Sequence, residues 1–439
     1  MTSIATTPPR ETVMQQAWRY QLWGKSHIKT CQGKTVEIVD AGKFNTGAGP
    51  DFKDARIRVD GKIWAGNIEI HRMASDWYRH GHHTDRAYDN VVLHVVGCDD
   101  CRVQSPDGNE ILQTCMDVGT GFDSMFNSLL YNTRLVLPMC GDYMPTIKSV
   151  FKTDWITALA YERLYRKAND VLKRLEAESG NWLQTIFVTL ARGLGYGVNA
   201  DNMERTARSI PFTVLLKHTD NIETIEAILF GQAGLLNLET PRDEYEATLV
   251  REYKFYSHKY GLSSPGQLHW QHSSRSMSNT PWRRMAILAR MVYNNGSRLG
   301  TSLYEAPSMQ AIRDFLDIRL SIYWNYAFAF GRTSAMPMSA LGKESRDLIV
   351  INVLVPIIFA HGLERGRYEL LDAAVELLEK TDGEKNSITR GFRAVGIDSP
   401  DAFTSQALIQ LHREYCERRR CLECRIGNLL LADFIHLGM

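Results

Sequence analysis

Hydrophobic and polar residues alternate with the period of β-strands in the first hundred positions of the chain. Within a predicted strand over 52–60, residues 55–60 place apolar side chains on one face and charged side chains on the other, which is typical of a half-buried strand. Asp60-Gly61 is a strong hairpin signal that leads into a second strand over 62–71. Residues 91–96 are almost continuously apolar, as in a strand buried on both faces. A sheet is therefore predicted, with a further strand over 35–40 and a preceding helix over 11–23.

The pattern changes near residue 145, after which apolar residues recur at helical spacing with few strand-like runs between them. The predicted fold class is α+β. It has an N-terminal α/β domain with a mixed sheet over 1–145 and a mostly α-helical domain over 146–439. Helices are predicted at 182–192, 222–236, 243–259, 282–293, 308–330, 345–363, 367–380 and 402–416.

Composition and length place the chain among ordinary folded proteins. Its 439 residues are 44% hydrophobic and 23% charged, enough for two or three domains with sizeable cores. The first residues show no signal-peptide pattern. The longest apolar run, Leu348 to Ala360, contains Asn352 and Pro356 and is too short to cross a bilayer. We expect a cytoplasmic protein without a membrane segment.

The charge balance argues against a broadly basic surface. The net charge is +1, and residues 1–145 hold 15 Lys and Arg against 17 Asp and Glu. Nucleic-acid binders usually show a basic excess, because neutralising phosphates dominates their affinity. Any contact with DNA or RNA must therefore use local clusters. The candidate residues are Arg283, Arg284, Arg418, Arg419 and Arg420.

Asp51, Glu69 and His71 form the first candidate site. Glu69 and His71 lie two positions apart on one predicted strand, so their side chains share a face. Asp51 opens the preceding strand, and an antiparallel pairing brings it towards that face. Oxygen ligands from neighbouring strands can hold Mg²⁺ or Mn²⁺ and activate water. We predict all three as catalytic, with Asp51 and Glu69 as metal ligands.

The histidine-rich segment that follows has several possible roles. His80, His82, His83 and Asp85 could bind a transition metal together with His71, or His82 or His83 with Asp85 could contact a phosphate. Such a loop also occurs without any ligand. His94 lies inside an apolar strand and is better explained as a hydrogen-bonded core histidine beside the site. The residues predicted to support the site or contact substrate are Asn45, His82, His83, Asp85 and His94.

Three of the eight cysteines form a second candidate metal site. Cys416, Cys421 and Cys424 have the spacing Cys-x4-Cys-x2-Cys, which favours metal over an accidental group of reduced thiols at a helix end. Cys140 is the preferred fourth ligand, and the Cys98-x2-Cys101 pair is the rival. Four cysteines suit either Zn²⁺ or a [4Fe–4S] cluster, and spacing alone does not separate the two.

The N-terminal part resembles the PD-(D/E)xK nuclease superfamily. The match rests on the order of helix, three-strand meander, helix and strand, and on Pro50-Asp51 and Glu69-Ile70-His71. The resemblance implies a metal-dependent nuclease acting on DNA or RNA, with Asp51 and Glu69 at the metal. His71 stands where that superfamily usually has lysine, although some members use histidine. The alternatives are an inactive nuclease-fold scaffold or binding module, and a hydrolase with a metal centre built from His71, His82 and Asp85.

Over nearly its full length the chain also resembles a family of uncharacterised bacterial proteins, a domain of unknown function with no established activity. Cys140 falls where a cysteine of that family is expected, which favours it over Cys98 and Cys101. The motifs that carry this resemblance are Asn45-x3-Gly-Pro-Asp-Phe52, Gly66-Asn-Ile-Glu-Ile-His71, Ser75-Asp-Trp-Tyr78, His80-Gly-His82, Leu93-His-Val-Val96, Phe230-Gly-Gln-Ala-Gly234 and Cys421-Leu-Glu-Cys-Arg-Ile-Gly427.

Overall fold

The protein is an α+β chain with a mixed sheet near the N-terminus and a helical remainder. The structure, a computed structural model, describes residues 10–436 apart from 20, 22–26, 46, 117–139, 272–278 and 306. The strands are β1 (His27–Lys29), β2 (Thr35–Asp40), β3 (Lys43–Phe44), β4 (Phe52–Val59), β5 (Lys62–Met73), β6 (Val91–Cys98), β7 (Gln113–Cys115), β8 (Ala327–Ala329) and β9 (Arg332–Thr333).

Helices form most of the chain after residue 145, as the sequence predicts. The helices are α1 (Glu11–Arg19), α2 (Asp76–Arg79), α3 (Ser149–Ala177), α4 (Trp182–Leu194), α5 (Ala200–Arg208), α6 (Phe212–Leu216), α7 (Ile222–Gln232), α8 (Glu244–Tyr260), α9 (Pro281–Asn295), α10 (Thr301–Tyr304), α11 (Met309–Phe315), α12 (Ile322–Tyr326), α13 (Lys343–Ile349), α14 (Val355–Arg365), α15 (Tyr368–Glu379), α16 (Ser387–Ala394), α17 (Ala402–Gln410) and α18 (Arg425–His436).

The N-terminal sheet has the strand order β1-β2-β4-β5-β6-β7, with β3 paired to the start of β4. β4 and β5 are antiparallel, whereas β6 runs parallel to both β5 and β7. Asp60 and Gly61 join β4 to β5 with positive φ angles of 51° and 79°, as a tight hairpin turn requires. The predicted strands and hairpin are therefore confirmed.

The C-terminal half of β5 is buried on both faces. Ile68 and Ile70 are fully buried on one face, and Glu69 and His71 are 5% and 1% exposed on the other. The helix α1 contributes to this burial with its fully or almost fully buried residues Val13, Met14, Ala17 and Trp18. Glu69 and His71 are therefore not ordinary surface residues on a solvated face of the sheet.

The predicted helix 308–330 is broken, and the segment between β5 and β6 contains only short helical pieces. Between Ser75 and β6 the chain forms only α2 and two 3₁₀ turns, His82–Thr84 and Arg86–Tyr88, and the Ser75 side chain makes no capping hydrogen bond. The predicted helix 308–330 divides into α11 and α12 and then enters β8. There the side chain of Ser321 accepts from the Trp324 N–H and starts a new helix.

The apolar run around Pro356 belongs to a longer helical stretch than the sequence suggests. A π-helical turn, Val350–Leu354, joins α13 to α14. Among the described residues, Lys343–Arg365 is the one helix long and apolar enough to cross a membrane by length and composition. Its most apolar window is 72% buried inside the protein, as in a core helix.

The chain divides into two compact units. The first contains residues 1–155, 391–397 and 411–439, and the second contains 156–390 and 398–410. The cysteine-bearing C-terminal segment is therefore grouped with the sheet. A domain boundary near residue 145 stays a prediction, because spatial grouping does not show which segment folds alone.

Candidate metal centre

Asp51 and Glu69 meet at the junction of β4 and β5. Phe52 pairs with Ile68, which sets Asp51 beside the next residue of β5. The backbone N–H of Asp51 donates to Glu69 Oε2 at 2.9 Å. The N–H of Ile70 donates to Asp51 Oδ2 at 3.1 Å. The structure thus brings together the two carboxylates that the sequence singled out.

The helix α1 adds two side chains that the sequence analysis did not select. Gln15 Nε2 donates to Asp51 Oδ1 at 2.9 Å, and the charges of Glu11 and Asp51 interact. Glu11 and Gln15 are four positions apart and so lie on one face of the helix. That spacing was visible in the sequence, but nothing showed that this face points at Asp51.

Burial and mutual repulsion disfavour the charged forms of these carboxylates. Burial, followed by the charge of Glu69, raises the pKa of Asp51 to about 7. Burial raises the pKa of Glu69 to about 8, and the charge of Glu11 adds to the effect. The pKa of Glu11 is also raised, first by burial and then by Asp51. A cation would relieve this repulsion.

Two histidines contact Glu69 Oε1, and a third contacts one of these two rings. Glu69 Oε1 lies 3.5 Å from His71 Nε2 and 3.4 Å from His82 Nε2. His80 Nδ1 lies 3.1 Å from His71 Nε2. His80 follows α2 and His82 opens a 3₁₀ turn, with Gly81 between them at φ +77°. Glycine adopts this left-handed conformation without strain, so it allows both flanking rings to face β5.

A chain of hydrogen bonds fixes the proton on His71. Gln113 Nε2 donates to Asp99 Oδ1 and to the Cys101 carbonyl, so Gln113 Oε1 faces His94 Nδ1 at 3.4 Å. His94 Nδ1 is then the donor, and His94 Nε2 accepts from His71 Nδ1 at 2.9 Å. His71 Nε2 therefore carries a lone pair directed at the cluster.

Burial keeps both central rings neutral. It lowers the pKa of His71 to about 2, assisted by the neighbouring His94, and lowers that of His94 to about 4. Neutral imidazole is the form that binds metals. His94 is fully buried and hydrogen-bonded, as predicted for a core histidine beside the site.

The donor set fits a divalent transition metal. The ligand nitrogens of His71, His80 and His82 all lie within 4.8 Å of one another, and the contacts with Glu69 Oε1 are 3.4 and 3.5 Å. Tetrahedral ligands at roughly 2.0–2.2 Å from a metal are separated by about 3.3–3.6 Å. Three imidazoles and a carboxylate suit Zn²⁺, Mn²⁺ or Fe²⁺ better than Mg²⁺.

Trp77 and Tyr88 enclose the histidines. Trp77 is fully buried, and its ring centre lies 5.4 Å from that of His82 and 5.3 Å from that of His94. Tyr88 stacks on His82 at 3.8 Å. Burial raises the pKa of the Tyr88 hydroxyl to about 12. Aromatic side chains in such contacts restrict rotation of the histidine rings and exclude water. No role for Trp77 or Tyr88 was predicted from the sequence.

A family model described as "Protein of unknown function (DUF2851)" matches residues 11–387. The chain belongs to this family. The match confirms the predicted resemblance to a family without known activity over residues 11–387. This range includes Glu11 and all the histidines described above, and it ends before the motif at Cys421–Gly427. No curated protein and no solved structure matches the chain, so the comparisons add no support for a nuclease fold.

The predicted supporting residues Asn45, His83 and Asp85 contribute no atom to this ligand group. Asn45 shapes the loop before Asp51, because its Nδ2 donates to the Pro50 carbonyl at 2.9 Å. His83 is exposed and packs edge-on against Tyr78 with ring centres 5.1 Å apart. Asp85 is also exposed and accepts from the Ala87 N–H at 2.9 Å. Of the loop residues 80–85, His80 and His82 supply the converging nitrogens.

The two arginines of α9 are built into the helical unit. Arg283 is fully buried, and Arg284 is 7% exposed with its guanidinium over the Tyr196 ring at 4.1 Å. The Arg283 guanidinium donates to backbone carbonyls of Trp324, Ala327, Met338 and Ser339. At this depth Arg283 offers no donor to a nucleic acid and instead joins α9 to the chain around β8.

The arginines near the C-terminus are more exposed but partly neutralised. Arg418 pairs with Glu414 at 3.0 Å, and Arg420 pairs with Glu423. Arg419 is exposed, at a positive φ of 53°. Their contact with a nucleic acid stays a prediction, and the local charge is smaller than the three arginines alone suggest.

Proposed function

We propose that the protein is a metal-dependent hydrolase that cleaves phosphodiester bonds, with its metal centre at Glu69, His71, His80 and His82. The observation that carries this proposal is the grouping of ring nitrogens from His71, His80 and His82, two of which also lie 3.4–3.5 Å from Glu69 Oε1. Glu69 and His71 are buried, His82 is half-buried and His80 is exposed, and the contact with His94 holds His71 Nε2 deprotonated. His71 and His82 belong to the predicted His/Asp/Glu centre. His80 was also among the predicted transition-metal ligands, and Glu69 takes the place of Asp85 in the proposed set.

The bound divalent cation would lower the pKa of a water molecule and polarise the scissile phosphate. His94 and Gln113 hold His71 in the metal-binding tautomer, an arrangement common among metal-ligating histidines. Gln15 and the Ile70 N–H orient the Asp51 carboxylate beside Glu69. Asp51 is thereby placed to accept a proton from attacking water.

The choice of phosphodiesters rests on the PD-(D/E)xK resemblance. The antiparallel pairing of β4 with β5, the parallel pairing of β5 with β6 and the contact of Asp51 with Glu69 support this choice. The helix expected between β5 and β6 is reduced to α2 and two 3₁₀ turns. The lysine normally found at the position of His71 is a permanent cation, whereas His71 is neutral with a pKa of about 2. We infer that His71 acts as a metal ligand rather than as a cation, which moves the preferred metal from Mg²⁺ towards Zn²⁺, Mn²⁺ or Fe²⁺.

A non-catalytic binding module is the second candidate. It is favoured by the neutral His71 and by the paired state of Arg418 and Arg420. Such a module would use the same groove for a nucleic acid or a protein without hydrolysing it. An activity assay distinguishes the two candidates, because only the hydrolase would show metal-dependent turnover.

Metal content and turnover test the proposal together. The chelated protein would be titrated separately with Zn²⁺, Mn²⁺, Fe²⁺ and Mg²⁺, and then assayed on single- and double-stranded DNA, on RNA and on a chromogenic phosphodiester. We expect metal-dependent cleavage by the wild type and its loss in Glu69→Gln and His80→Ala. His83→Ala is the matched control, since His83 is exposed and outside the ligand group.

The outcomes separate the candidates. Stoichiometric metal without cleavage of any substrate would favour the binding module. Full cleavage by both Glu69→Gln and His80→Ala would refute the assignment of the centre.

A further inference from the structure

Four cysteines of the first unit lie around the start of α18, away from the histidines of the proposed centre. Cys140 precedes a 3₁₀ turn, Gly141–Thr146, and Cys416 ends a π-helical turn, Leu411–Cys416. π-Helical turns are rare and often mark functional sites. Cys421 and Cys424 belong to the tight turn that leads into α18, where the Cys424 N–H donates to the Cys421 carbonyl at 3.2 Å.

We propose that Cys140, Cys416, Cys421 and Cys424 bind a [4Fe–4S] cluster. This proposal is independent of the proposed hydrolase centre and concerns a different inorganic group. Cys140, rather than Cys98 or Cys101, is the fourth ligand, and the bound group is an iron–sulfur cluster rather than zinc.

Mutual electrostatic effects show that the four thiols are close neighbours. After burial, the charges of Cys424 and Cys421 raise the pKa of Cys140. The charges of Cys140, Cys424 and Cys421 likewise raise the pKa of Cys416. Cys98 and Cys101 are absent from both sets of interactions. Four neighbouring thiolates repel one another, so they can coexist only around a positively charged group.

Several N–H groups are directed at one of these sulfurs. The backbone N–H groups of Ile426 and Gly427 favour the thiolate of Cys424 and lower its pKa against the effect of burial. Trp155 acts in the same direction. Trp155 is 6% exposed. Its Nε1 has no hydrogen-bond partner within the described part of the chain. Since its N–H points towards Cys424 without completing a bond, it is available to a thiolate or an inorganic sulfide.

The backbone also packs tightly around the cysteine turn. A Cβ added to Gly427 would lie 2.0 Å from the Cys421 carbonyl oxygen. Any larger residue would therefore push α18 away from the turn. Glycine at this position keeps the first N–H groups of α18 close to Cys424.

The size of the cysteine shell separates a cluster from a single zinc ion. Zinc holds its sulfurs at about 2.3 Å, so tetrahedral thiolates lie roughly 3.8 Å apart. Among the described residues, the ligand atoms found grouped within 4.8 Å of one another include those of His71, His80 and His82 and none of a cysteine. No three of the described cysteine sulfurs are therefore as close together as a single zinc ion requires. A [4Fe–4S] cluster holds its sulfurs farther apart, because each sulfur binds a different iron.

Aromatic and cationic groups complete the surroundings. The rings of Trp155 and Tyr415 meet edge-to-face with centres 5.4 Å apart. Arg425 lies over Trp155 at 5.0 Å, and Arg420 lies over Tyr415 at 5.1 Å. These aromatic rings pack beside the cysteine turn, and both arginines are ion-paired, Arg420 with Glu423 and Arg425 with Asp154.

Anaerobic purification of the full chain tests the proposal, followed by iron and acid-labile sulfide analysis and a visible absorption spectrum. We expect a brown protein with about four irons and four sulfides per chain, reconstituted from Fe²⁺ and sulfide if the cluster is lost. Cys421→Ser should reduce both contents at least several-fold. Cys101→Ser is the matched control and should leave them unchanged. A colourless protein with stoichiometric zinc, or with neither metal, would overturn the proposal.

Trp155→Phe provides a test that does not depend on cluster loss. It removes the indole N–H and keeps an aromatic ring. The variant should retain its iron and show a lower reduction potential, because hydrogen bonds to the sulfurs stabilise the reduced cluster. An unchanged potential in an iron-loaded variant would contradict the placement of Trp155 at the cluster.

Discussion

His71 Nδ1 lies 2.9 Å from His94 Nε2, and this contact determines which nitrogen of His71 can bind a cation. The orientation originates at Gln113, whose amide donates to Asp99 and to the Cys101 carbonyl. Strand β7 therefore controls the chemistry of a residue two strands away on β5. In the parallel sheet His94 lies opposite Gln113 on β7 and opposite Glu69 on β5, so the His94 ring contacts His71 from two residues along the strand.

Replacing His94 should weaken the metal centre without removing a ligand. In His94→Phe, a ring is kept but the acceptor for His71 Nδ1 is lost. We expect the affinity for Zn²⁺ to fall by about 10–100-fold, as for other partners of metal-bound histidines. Calorimetric titration of the chelated protein measures this change. His27→Phe, on β1 outside the site, is the control, and equal affinities for the His94 variant and the wild type would contradict the hydrogen-bond chain.

Asp51→Asn should lower turnover more than metal affinity. The substitution removes a proton acceptor, and general-base groups typically contribute 10²–10⁴-fold to the rate. Asp51 accepts from Gln15 and from the Ile70 N–H, so an amide N–H₂ would face a donor at one of them. A loss of about 1–3 kcal/mol in unfolding free energy is also expected.

Rate measurements at saturating metal, with thermal unfolding alongside, separate these two effects of Asp51→Asn. Asp54→Asn is the exposed control. A normal rate in a folded Asp51→Asn protein would exclude the proposed proton transfer.

Glu226 should make the helical unit less stable as the pH rises. It is 1% exposed on α7, where Trp324 Nε1 and the Tyr245 hydroxyl donate to its Oε2 at 2.9 and 2.7 Å. Burial raises its pKa from 4.5 to about 7. The unfolded chain loses this proton first, so stability falls between about pH 4.5 and 7.

The loss caused by Glu226 is on the order of 3 kcal/mol, since one pKa unit corresponds to about 1.4 kcal/mol. Glu226→Gln cannot ionise and should flatten the decrease. Thermal unfolding between pH 5 and 8 measures the difference, with the exposed Glu223→Gln on the same helix as the control. Parallel pH profiles for Glu226→Gln and the wild type would be inconsistent with this account.

Arg283 should contribute to the stability of the folded protein rather than to nucleic-acid binding. Arg283→Met removes the donors to the carbonyls around β8, and each unsatisfied buried acceptor costs about 1–3 kcal/mol. We expect a loss of at least about 3 kcal/mol in chemical unfolding. Arg419→Met, at an exposed position, should change stability by less than about 0.5 kcal/mol. A neutral Arg283→Met variant would show that these hydrogen bonds contribute little.

Local patterns were sufficient to predict the strands of the sheet and to bring Asp51 towards the face that carries Glu69. The Asp60-Gly61 turn sets the register from Val59 back to Ala55, but an irregularity between Ala55 and Phe52 shifts it by one residue and pairs Phe52 with Ile68. The exact contact of Asp51 with Glu69 depends on this shift, which the alternation does not show. The centre itself depends on longer-range placement. His80 reaches it through the left-handed turn at Gly81, and Glu11 reaches it through the packing of α1. Neither position follows from periodicity.

The burial of Arg283 likewise depends on residues that are distant in the sequence. A basic pair at the start of a predicted helix is typical of an exposed surface, and the sequence does not show that β8 folds over it. Strand β8 was predicted as part of the helix 308–330, because over a short run its apolar residues fit both the helical and the strand period. For the cysteines, spacing along the chain indicated metal, and only the spatial arrangement distinguishes Cys140 from Cys98 and Cys101.

The central claim is that a transition metal binds between β5 and the loop after α2. Crystals soaked in Zn²⁺ or Mn²⁺ and measured at the absorption edge of the metal test this most directly. The account predicts one anomalous peak about 2.0–2.2 Å from Glu69 Oε1, His71 Nε2, His80 Nδ1 and His82 Nε2. A peak held only by Asp51 and Glu69, or no peak among these residues at saturating metal, would contradict it.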